Sequence, residues 1–513
     1  MTANDSKPTG AVLVVGGGIA GMQSALDLAN SGIKVYLVEK TPSIGGKMAQ
    51  LDKTFPTNDC AMCTISPKLV ECGRHKDIKI ISNAELLRLE GQSGRFEATV
   101  LRHASYVDAE KCTGCGQCAI VCPVQAPSEY DERLAARKAI HIPFQQAMPK
   151  VFAVTKKGWS PCRSACPAGV NAQGYTALIS EGKFKEALAV VRSTMPFASV
   201  CGRVCIHPCE KDCERGKLDQ PIAIRALKRF VADYELKSGR LKVERPRATK
   251  AEKVAVVGSG PAGLTCAYDL VRMGYPVTVF EAMPKAGGLL RYGIPAYRLP
   301  DSALDSEVSY IRELGVDIRM NTTVRSVADL QKQGYAATFV ATGAWSGLRM
   351  GIPGEDTTGV LEALRFLREV RSGSPAKLGE RVAVVGGGNA AVDASRVALR
   401  LGARRVSILY RRSRAEMPAD PREIEDAERE GISIQLLVSP IRVLSENGRL
   451  TGIECTRMEL GEPDASGRRR PVAIKGSEFI LPADNVIMAI GQSVDRNALP
   501  QGLTAGDDGT VRV

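Results

Sequence analysis

Three times along its 513 residues the chain writes a short apolar strand, a glycine-rich turn and a helix start. The first is Val12-Leu13-Val14-Val15 into Gly16-x-Gly18-x-x-Gly21. The second is Val254-Ala255-Val256-Val257 into Gly258-x-Gly260-x-x-Gly263. The third is Val382-Ala383-Val384-Val385 into Gly386-x-Gly388-x-x-Ala391. Glycines in such a turn let the chain reverse tightly and let a pyrophosphate approach the amides of a helix N-terminus. One match is weak evidence. Three, each between a strand and a helix, predict an α/β chain that holds several dinucleotides and moves electrons between them. The length is too great for one core and suits about three or four domains.

The residues after each turn distinguish the three units. The strand Val35–Val38 ends at Glu39 and the strand Val277–Phe280 ends at Glu281. An acid about twenty residues past the glycines accepts hydrogen bonds from ribose hydroxyls. The strand Val406–Tyr410 ends without an acid, and Arg411 and Arg412 stand there instead. A guanidinium suits a 2′-phosphate, so the third unit is expected to take NADPH rather than NADH. The competing reading, a solvated basic turn, is weakened by the position of the arginines relative to Gly386 and Gly388.

Thirteen of the fifteen cysteines lie between the first and second turns. Such a number in a chain without a signal-peptide core argues for metal rather than disulfides. Cys112-x2-Cys115-x2-Cys118-x3-Cys122-Pro123 is the run of a bacterial ferredoxin [4Fe–4S] centre, with Gly114 and Gly116 permitting the loop. A second group is Cys162-x3-Cys166-Pro167 followed by Cys201-x3-Cys205-x3-Cys209-x3-Cys213. Six thiolates suffice for one cluster with two spares, or contribute to two. Cys60-x2-Cys63 reads as a redox dithiol, a cluster contribution or two buried thiols. Cys72, Cys266 and Cys455 read as structural.

The net charge of +13 is not gathered into a patch with interleaved aromatics, and aromatic content is only 5%. Nucleic acid is therefore not expected as a partner. No apolar run approaches the roughly 20 residues that span a bilayer, and the polar start of the chain suggests a cytoplasmic protein. With four histidines in all, no acid–base constellation is visible.

Residues 16 to about 149 resemble the flavin-binding subunit of heterodisulfide reductase. The likeness rests on Val15-Gly16-Gly17-Gly18-Ile19-Ala20-Gly21, on Gln50 through Cys60, on Lys111-Cys112-Thr113-Gly114-Cys115-Gly116 and on Arg137-Lys138-Ala139-Ile140. It implies a second FAD, in the first unit, with an inserted ferredoxin module. The pattern stops near Pro149, before the family's crossover strand. Residues from Pro161 onward resemble the small subunit of NADPH-dependent glutamate synthase. That likeness rests on Cys166-Pro167-Ala168, Cys201-Gly202-Arg203-Val204-Cys205, Pro208-Cys209-Glu210 and Pro221-Ile222-Ala223-Ile224. It extends through Gly287-Gly288-Leu289-Leu290-Arg291-Tyr292, and Thr338-Phe339-Val340-Ala341-Thr342-Gly343 resembles the crossover strand of two-dinucleotide flavoproteins. It implies FAD at the second unit, with Gly288, Thr342 and Gly343 at that site. A similar cysteine domain occurs in dihydropyrimidine dehydrogenase, and in these relatives it holds two clusters. Here the upstream cysteines of the first are absent, and Lys228 stands where relatives often place a Gln or Glu ligand. One cluster using Cys166, Cys205 and Cys209 is expected from this domain, and two in the chain, with a third if the domain holds a second.

The expected architecture is α/β: Rossmann-like two-dinucleotide-binding flavoprotein domains with inserted ferredoxin-like and helical iron–sulfur domains. Residues 10–104 form an FAD-binding half-domain, 105–155 the ferredoxin-like insert and connector, and 156–240 the helical iron–sulfur domain. Residues 250–350 with 484–513 form the second FAD domain around an NADPH domain at 378–483. Both resemblances imply a further Gly-Asp segment beyond Gly506-Asp507-Asp508-Gly509, so the chain reads as a fragment or one half of a split protein. The expected function is an NADPH-linked, FAD-dependent iron–sulfur oxidoreductase. It would serve a ferredoxin-like or disulfide-reducing partner within a multi-subunit complex. The alternatives are a glutamate-synthase-like donor to an amidotransferase subunit and a non-catalytic electron-transfer scaffold.

Overall fold

The computed structural model describes residues 10–156, 158–240, 243–464, 467–506 and 509–512. The chain divides into two compact units, residues 1–159 with 217–219, and residues 160–216 with 220–513.

In the first unit, β1 (Ala11–Val15), β2 (Lys34–Glu39) and β3 (Ile78–Ser82) form a parallel sheet in the order β1-β2-β3. Helix α1 (Ile19–Asn30) connects β1 to β2, and α2 (Ala61–Arg74) precedes β3. Met22, Ala25, Leu26 and Ala29 recur at helical spacing along α1 and pack with Ile65, Leu69 and Cys72 of α2 against Val35 and Leu37. Burying each large aliphatic side chain contributes roughly 1.5–3 kcal/mol. Among the described residues no strand pairs with the outer edge of β1, and Val15 is 57% exposed. The hairpin β4 (Ala84–Gln92) and β5 (Arg95–Arg102) follows, then the cysteine loop with the short helix α3 (Gln117–Val121).

The second unit opens with a helical domain whose longer helices are α4 (Ala172–Ser180), α5 (Phe184–Arg192), α6 (Ala198–Val204) and α7 (Ile224–Ser238). Tyr175, Leu188, Val191 and Val231 fill their core. A Cβ on Gly202 would stand 2.7 Å from the Cα of Arg229, so glycine there lets α6 and α7 touch backbone to backbone. Arg192 grips Glu235 with two bonds of 2.7 and 2.6 Å, tying α5 to α7.

Two sheets follow. The outer one has β6 (Lys253–Val257), β7 (Val277–Phe280), β8 (Asp317–Arg319) and β9 (Tyr335–Val340) in the order β8-β7-β6-β9, with α8 (Pro261–Arg272) and α9 (Asp301–Glu313) packed on it. The inner one begins with β10 (Val360–Glu362), β11 (Arg381–Val385), α10 (Asn389–Arg400), β12 (Arg405–Tyr410) and β13 (Ser433–Leu436). An antiparallel excursion, β14 (Val438–Glu446), β15 (Arg449–Pro463), β16 (Arg469–Ala473) and β17 (Phe479–Pro482), leads to β18 (Asn485–Met488). The inner order is β10-β18-β11-β12-β13, all parallel. Ser346–Gly347 pairs antiparallel with Gln492–Ser493, so the outgoing and returning chains cross side by side.

Two expected boundaries change. Asn485–Met488, read from the sequence as the start of the return to the outer domain, is a central strand of the inner sheet. Val360–Glu362, placed between the domains by the sequence, is that sheet's edge. The apolar run Val486–Met488 signals a buried parallel strand but does not say in which sheet. Asp507 and Asp508 lie outside the described residues. No helix among the described residues is long and apolar enough to cross a membrane.

Candidate dinucleotide and iron–sulfur sites

The three turns share one construction. Gly16, Gly258 and Gly386 have φ of +104°, +104° and +139°, conformations that favour glycine. Gly18, Gly260 and Gly388 cap α1, α8 and α10 in extended backbone with no side-chain cap bond, which leaves the first helical amides for a ligand. A Cβ on Gly18 would meet nothing within 4 Å, and one on Gly388 only a Pro418 carbon at 3.9 Å. Gly21 and Gly263 permit the helix to close on the turn, since a Cβ there would stand 1.9 and 2.0 Å from the carbonyl oxygens of Gly16 and Gly258. Ala391, at the third position of the last turn, is buried. Open space before unpaired helix-start amides fits a pyrophosphate.

A second glycine pair presses on the first two turns. Gly46 and Gly288, with φ of +55° and +54°, abut Gly18 and Gly260 so closely that a Cβ would stand 2.9 and 2.7 Å from their Cα atoms.

Glu39 and Glu281 are buried where the sequence places them, with a further duty it does not reveal. Glu39 accepts from the Gly17 amide at 2.7 Å and from the Thr41 amide at 2.8 Å. Glu281 accepts from the Ser259 amide at 2.9 Å and the Met283 amide at 2.8 Å. Each acid thus buttresses its own glycine turn. The Thr41 and Ser259 hydroxyls take a third place on each acid, so of about four acceptor positions about one is left for a ribose hydroxyl.

The third unit corrects the reading of the arginines. The Gly386 amide donates to Leu409 O, as Gly16 does to Val38 O and Gly258 to Phe280 O. The residue in register with the two glutamates is therefore Tyr410. Its ring fills the space over Gly387, where a Cβ would stand 2.5 Å from a ring carbon, and its hydroxyl donates to Glu416 O at 2.7 Å. Arg411 is exposed and lines a cavity of about 560 Å³ with Gly388, Pro418, Ala489 and Gly491. Arg412 is buried, 2.6 Å from the Asp464 carboxylate, and donates to Arg469 O. These contacts hold it in place, and it lines the same cavity as Arg411. The sequence could not reveal this, because Asp464 lies 52 residues away.

Across the second turn, a Cβ on Gly258 would stand 2.3 Å from Ala341 O, and Thr342 O accepts from the Trp345 indole at 2.9 Å. Gly343 follows with φ +79°. Across the third, Ala489 O takes the place of Ala341 O at 2.3 Å from a Cβ on Gly386. Across the first turn a Cβ on Gly16 would meet nothing within 4 Å. Beside that turn lies a cavity of about 830 Å³ lined by Glu39, Lys47, Tyr130, Arg137 and His141.

The ferredoxin-like run wraps through Gly114 and Gly116, at φ +72° and +81°, with Cys118 on α3 and Cys122 at its end. The Gln117 amide and the Thr113 hydroxyl hold the Cys115 thiol below its ordinary range. In the helical domain Cys201 and Cys209 each lie within electrostatic reach of Cys166 and Cys205. Cys201, one of the six cysteines of the expected group, stands on α6. Burial pushes Cys201 up to about 12 and Cys209 to about 11. Buried sulfurs in an apolar helical core are soft ligands that suit an iron–sulfur cluster. Cys162 packs on the same core, whereas Cys213 is half-buried. Among the described residues no three His, Cys, Asp or Glu side chains converge on a single-ion point; a cubane binds one thiolate at each iron and spreads its ligands wider.

Cys60 and Cys63 are both exposed, which removes the reading of two buried thiols. The Cys60 sulfur accepts from the Cys63 amide at 3.2 Å and caps α2. The Cys63 thiol, and then its amide, hold Cys60 below its ordinary range, while Cys60 pushes Cys63 up. Cys72 and Cys455 are buried, as structural thiols would be, and Cys266 is half-buried.

Paired dinucleotide sheets joined to thiolate clusters define an iron–sulfur flavoprotein of the NAD(P)H-linked oxidoreductase class. The chain belongs to the pyridine nucleotide-disulphide oxidoreductase family, whose model matches residues 252–513. Residues 155–240 match dihydropyrimidine dehydrogenase domain II, a 4Fe-4S domain. Residues 11–66 match an FAD dependent oxidoreductase and 105–128 a 4Fe-4S binding domain. The chain is 47% identical over 380 residues, 69% of its length, to the NADP(+)-dependent formate dehydrogenase subunit beta of Moorella thermoacetica. It is 41% identical over 445 residues, 84% of its length, to the NADPH-Fe(3+) oxidoreductase subunit beta of Geobacter sulfurreducens. It spans 54% and 66% of those two relatives. It is also 35% identical to the small chain of Escherichia coli glutamate synthase [NADPH], over 69% of this chain and 78% of that one.

Proposed function

We propose that the protein is an NADPH-linked, FAD-dependent iron–sulfur oxidoreductase that serves as the electron-handling subunit of a larger cytoplasmic complex. Bound together, the nicotinamide supplies a hydride, FAD converts between two-electron and one-electron chemistry, and the clusters carry single electrons. The residues supply position and charge. Gly258, Gly260 and Gly263, with Gly288, Thr342 and Gly343, hold FAD, whose ribose meets Glu281. Gly386 and Gly388 hold the pyrophosphate of NADPH, and Arg411 meets its 2′-phosphate. Gly16, Gly18, Gly21 and Glu39 form a second flavin cradle. Cys112, Cys115, Cys118 and Cys122 hold one cluster, and Cys166, Cys201, Cys205 and Cys209 another.

One observation carries the coupling of flavin and cluster. Glu307 of α9, on the outer dinucleotide domain, is fully buried and accepts from the Ser199 amide and, at 3.1 Å, from the Val200 amide. It caps α6, the helix that bears Cys201, so one carboxylate fixes the cysteine helix to the flavin-binding layer. The partner is a ferredoxin-like or disulfide-reducing protein. A donor role to an amidotransferase is the second reading, favoured by the likeness to the glutamate synthase small chain.

An anaerobic NADPH titration of the reconstituted chain, followed by visible absorption and EPR, tests this. Flavin bleaching with reduced-cluster signals is expected. Clusters that respond to dithionite and ignore NADPH would make this chain an accessory scaffold instead.

A further inference from the structure

Helix α7 turns Ile224, Lys228, Val231 and Ala232 inward. Three of these are apolar, as a core-facing stripe requires. The fourth is a lysine only 5% exposed. An ammonium stripped of water is strongly disfavoured unless an opposite charge or acceptors replace its hydration. The neighbouring carboxylates are committed elsewhere: Asp233 to Arg203, Glu235 to Arg192, Glu210 to the Arg225 amide and Glu307 to the start of α6. Among the described residues no carboxylate pairs with Lys228, although its ammonium is not among the side-chain nitrogens cut off from both solvent and partners.

Its surroundings are sulfur. Lys228 precedes Arg229, whose Cα lies against Gly202, and Gly202 follows Cys201. The closest approach of α6 and α7 therefore sets Lys228 beside the turn that bears Cys201. Ile224, Val231 and Ala232, on the same inward face of α7, share one core with Cys209, and Cys166 and Cys201 pack against that core.

We propose that Lys228 is the internal counter-cation of the cluster held by Cys166, Cys201, Cys205 and Cys209, and that it sets that cluster's reduction potential. This rests on the proposed assignment of those cysteines. Four thiolates leave a cubane with net negative charge, and reduction adds one electron and no proton. A fixed positive charge at short range in a low-dielectric core stabilises the reduced state more than the oxidised one. Lys228 thereby makes the cluster easier to reduce and compensates the charge of four thiolates, of which Cys209 is buried and Cys166, Cys201 and Cys205 half-buried.

The test is an EPR-monitored redox titration of the reconstituted full chain, with iron and sulfide counted in each sample. Lys228→Met removes the charge and keeps an unbranched stem. Lys228→Arg keeps the charge. Cys201→Ser identifies the signal, and the Cys112–Cys122 cluster is the internal reference. The Met variant should keep its iron while the equilibrium constant for reduction of the Cys201 cluster falls about tenfold, which is about 59 mV for a one-electron couple. The Arg variant should restore most of that change, and the reference should not move. An unchanged potential in an iron-replete Met variant overturns the proposal. So does iron loss from both the Met and Arg variants, which would make the lysine a ligand or a packing element. If Cys201→Ser leaves iron and spectrum intact, the cluster assignment itself has failed, and that result is distinct from the other two.

Discussion

The first and second glycine turns repeat each other almost bond for bond and then part. Gly16 and Gly258 have the same φ, Glu39 and Glu281 brace the same amide, and Gly46 and Gly288 press on the same cap. The strands beneath them differ. β6 has neighbours on both sides, and β9 brings Ala341 O against Gly258. β1 has a neighbour on one side only, among the described residues. Val15 is 57% exposed, while Val257 and Val385, at the same place in the other units, are each 6% exposed. A phosphate cradle is built by about thirty consecutive residues. The strand that shuts it comes from far along the chain, so the two are separable.

Gly258→Ala against Gly16→Ala strains that comparison hardest. Both impose a left-handed conformation on alanine, a cost of about 1–2 kcal/mol. Only the first also drives a methyl into Ala341 O, which must shift the closing strand. Gly258→Ala should therefore lose its flavin and lower Tm well beyond Gly16→Ala, as read by bound FAD and differential scanning calorimetry. Equal losses would show that the first turn is closed as tightly as the second.

A second difference lies in what the outer domain of the second turn supports. Burial pushes Glu307 up to about 7, against the downward pull of the Ser199 and Val200 amides. A carboxyl raised above its unfolded value contributes most below about pH 4.5, and that contribution is lost as pH rises through 7. The loss is on the order of 3 kcal/mol for a group with no solvent contact. Between pH 5 and 8 wild type should lose more stability than Glu307→Gln, in denaturant titrations at each pH. Parallel pH profiles would mean that Glu307 is ionised throughout.

Parts of the molecule are legible from sequence because they are local. The three glycine spacings and the run Cys112 to Cys122 each fit within one loop, and their residue types follow from what that loop must touch. Glu39 and Glu281 are found by their distance from the glycines. Tyr410 escapes notice beside Arg411 because the register is fixed by a hydrogen bond, Gly386 to Leu409, and not by a count of residues. Arg412 reads as a phosphate ligand in sequence because its true partner arrives from the excursion between β13 and β18. Cys166 and Cys201, grouped in sequence by spacing and resemblance, pack against one core only once the helices assemble. Strand β18 carries a buried-strand pattern, but no pattern in one strand names its neighbours.

The arginines give a sharper contrast inside the third unit. Arg411→Ala should raise KM for NADPH about 10- to 100-fold, the loss of charged hydrogen bonds to phosphate, and leave NADH unchanged. Arg412→Ala should leave the NADPH to NADH ratio alone and cost about 1–3 kcal/mol of stability, because it strands a partly buried Asp464. A shift in cofactor preference from Arg412→Ala would return that residue to the phosphate site.

The smallest expected effect belongs to the first unit, which carries an exposed thiol pair, Cys60 and Cys63. Cys60 is held below the ordinary thiol range and Cys63 above it, so of the two Cys60 has the larger thiolate share. Iodoacetamide at pH 7 should therefore label Cys60 several-fold faster than Cys63, read by peptide mass spectrometry. Cys63→Ala should slow Cys60 toward an ordinary exposed thiol, since the Cys63 thiol is the largest source of its shift. Equal labelling of both residues would remove the asymmetry that a redox dithiol needs, in which one sulfur attacks and the other resolves. Protection of both that vanishes when iron is chelated would place them on a cluster instead, and the first cradle would then differ from the second in its metal as well as in its missing strand.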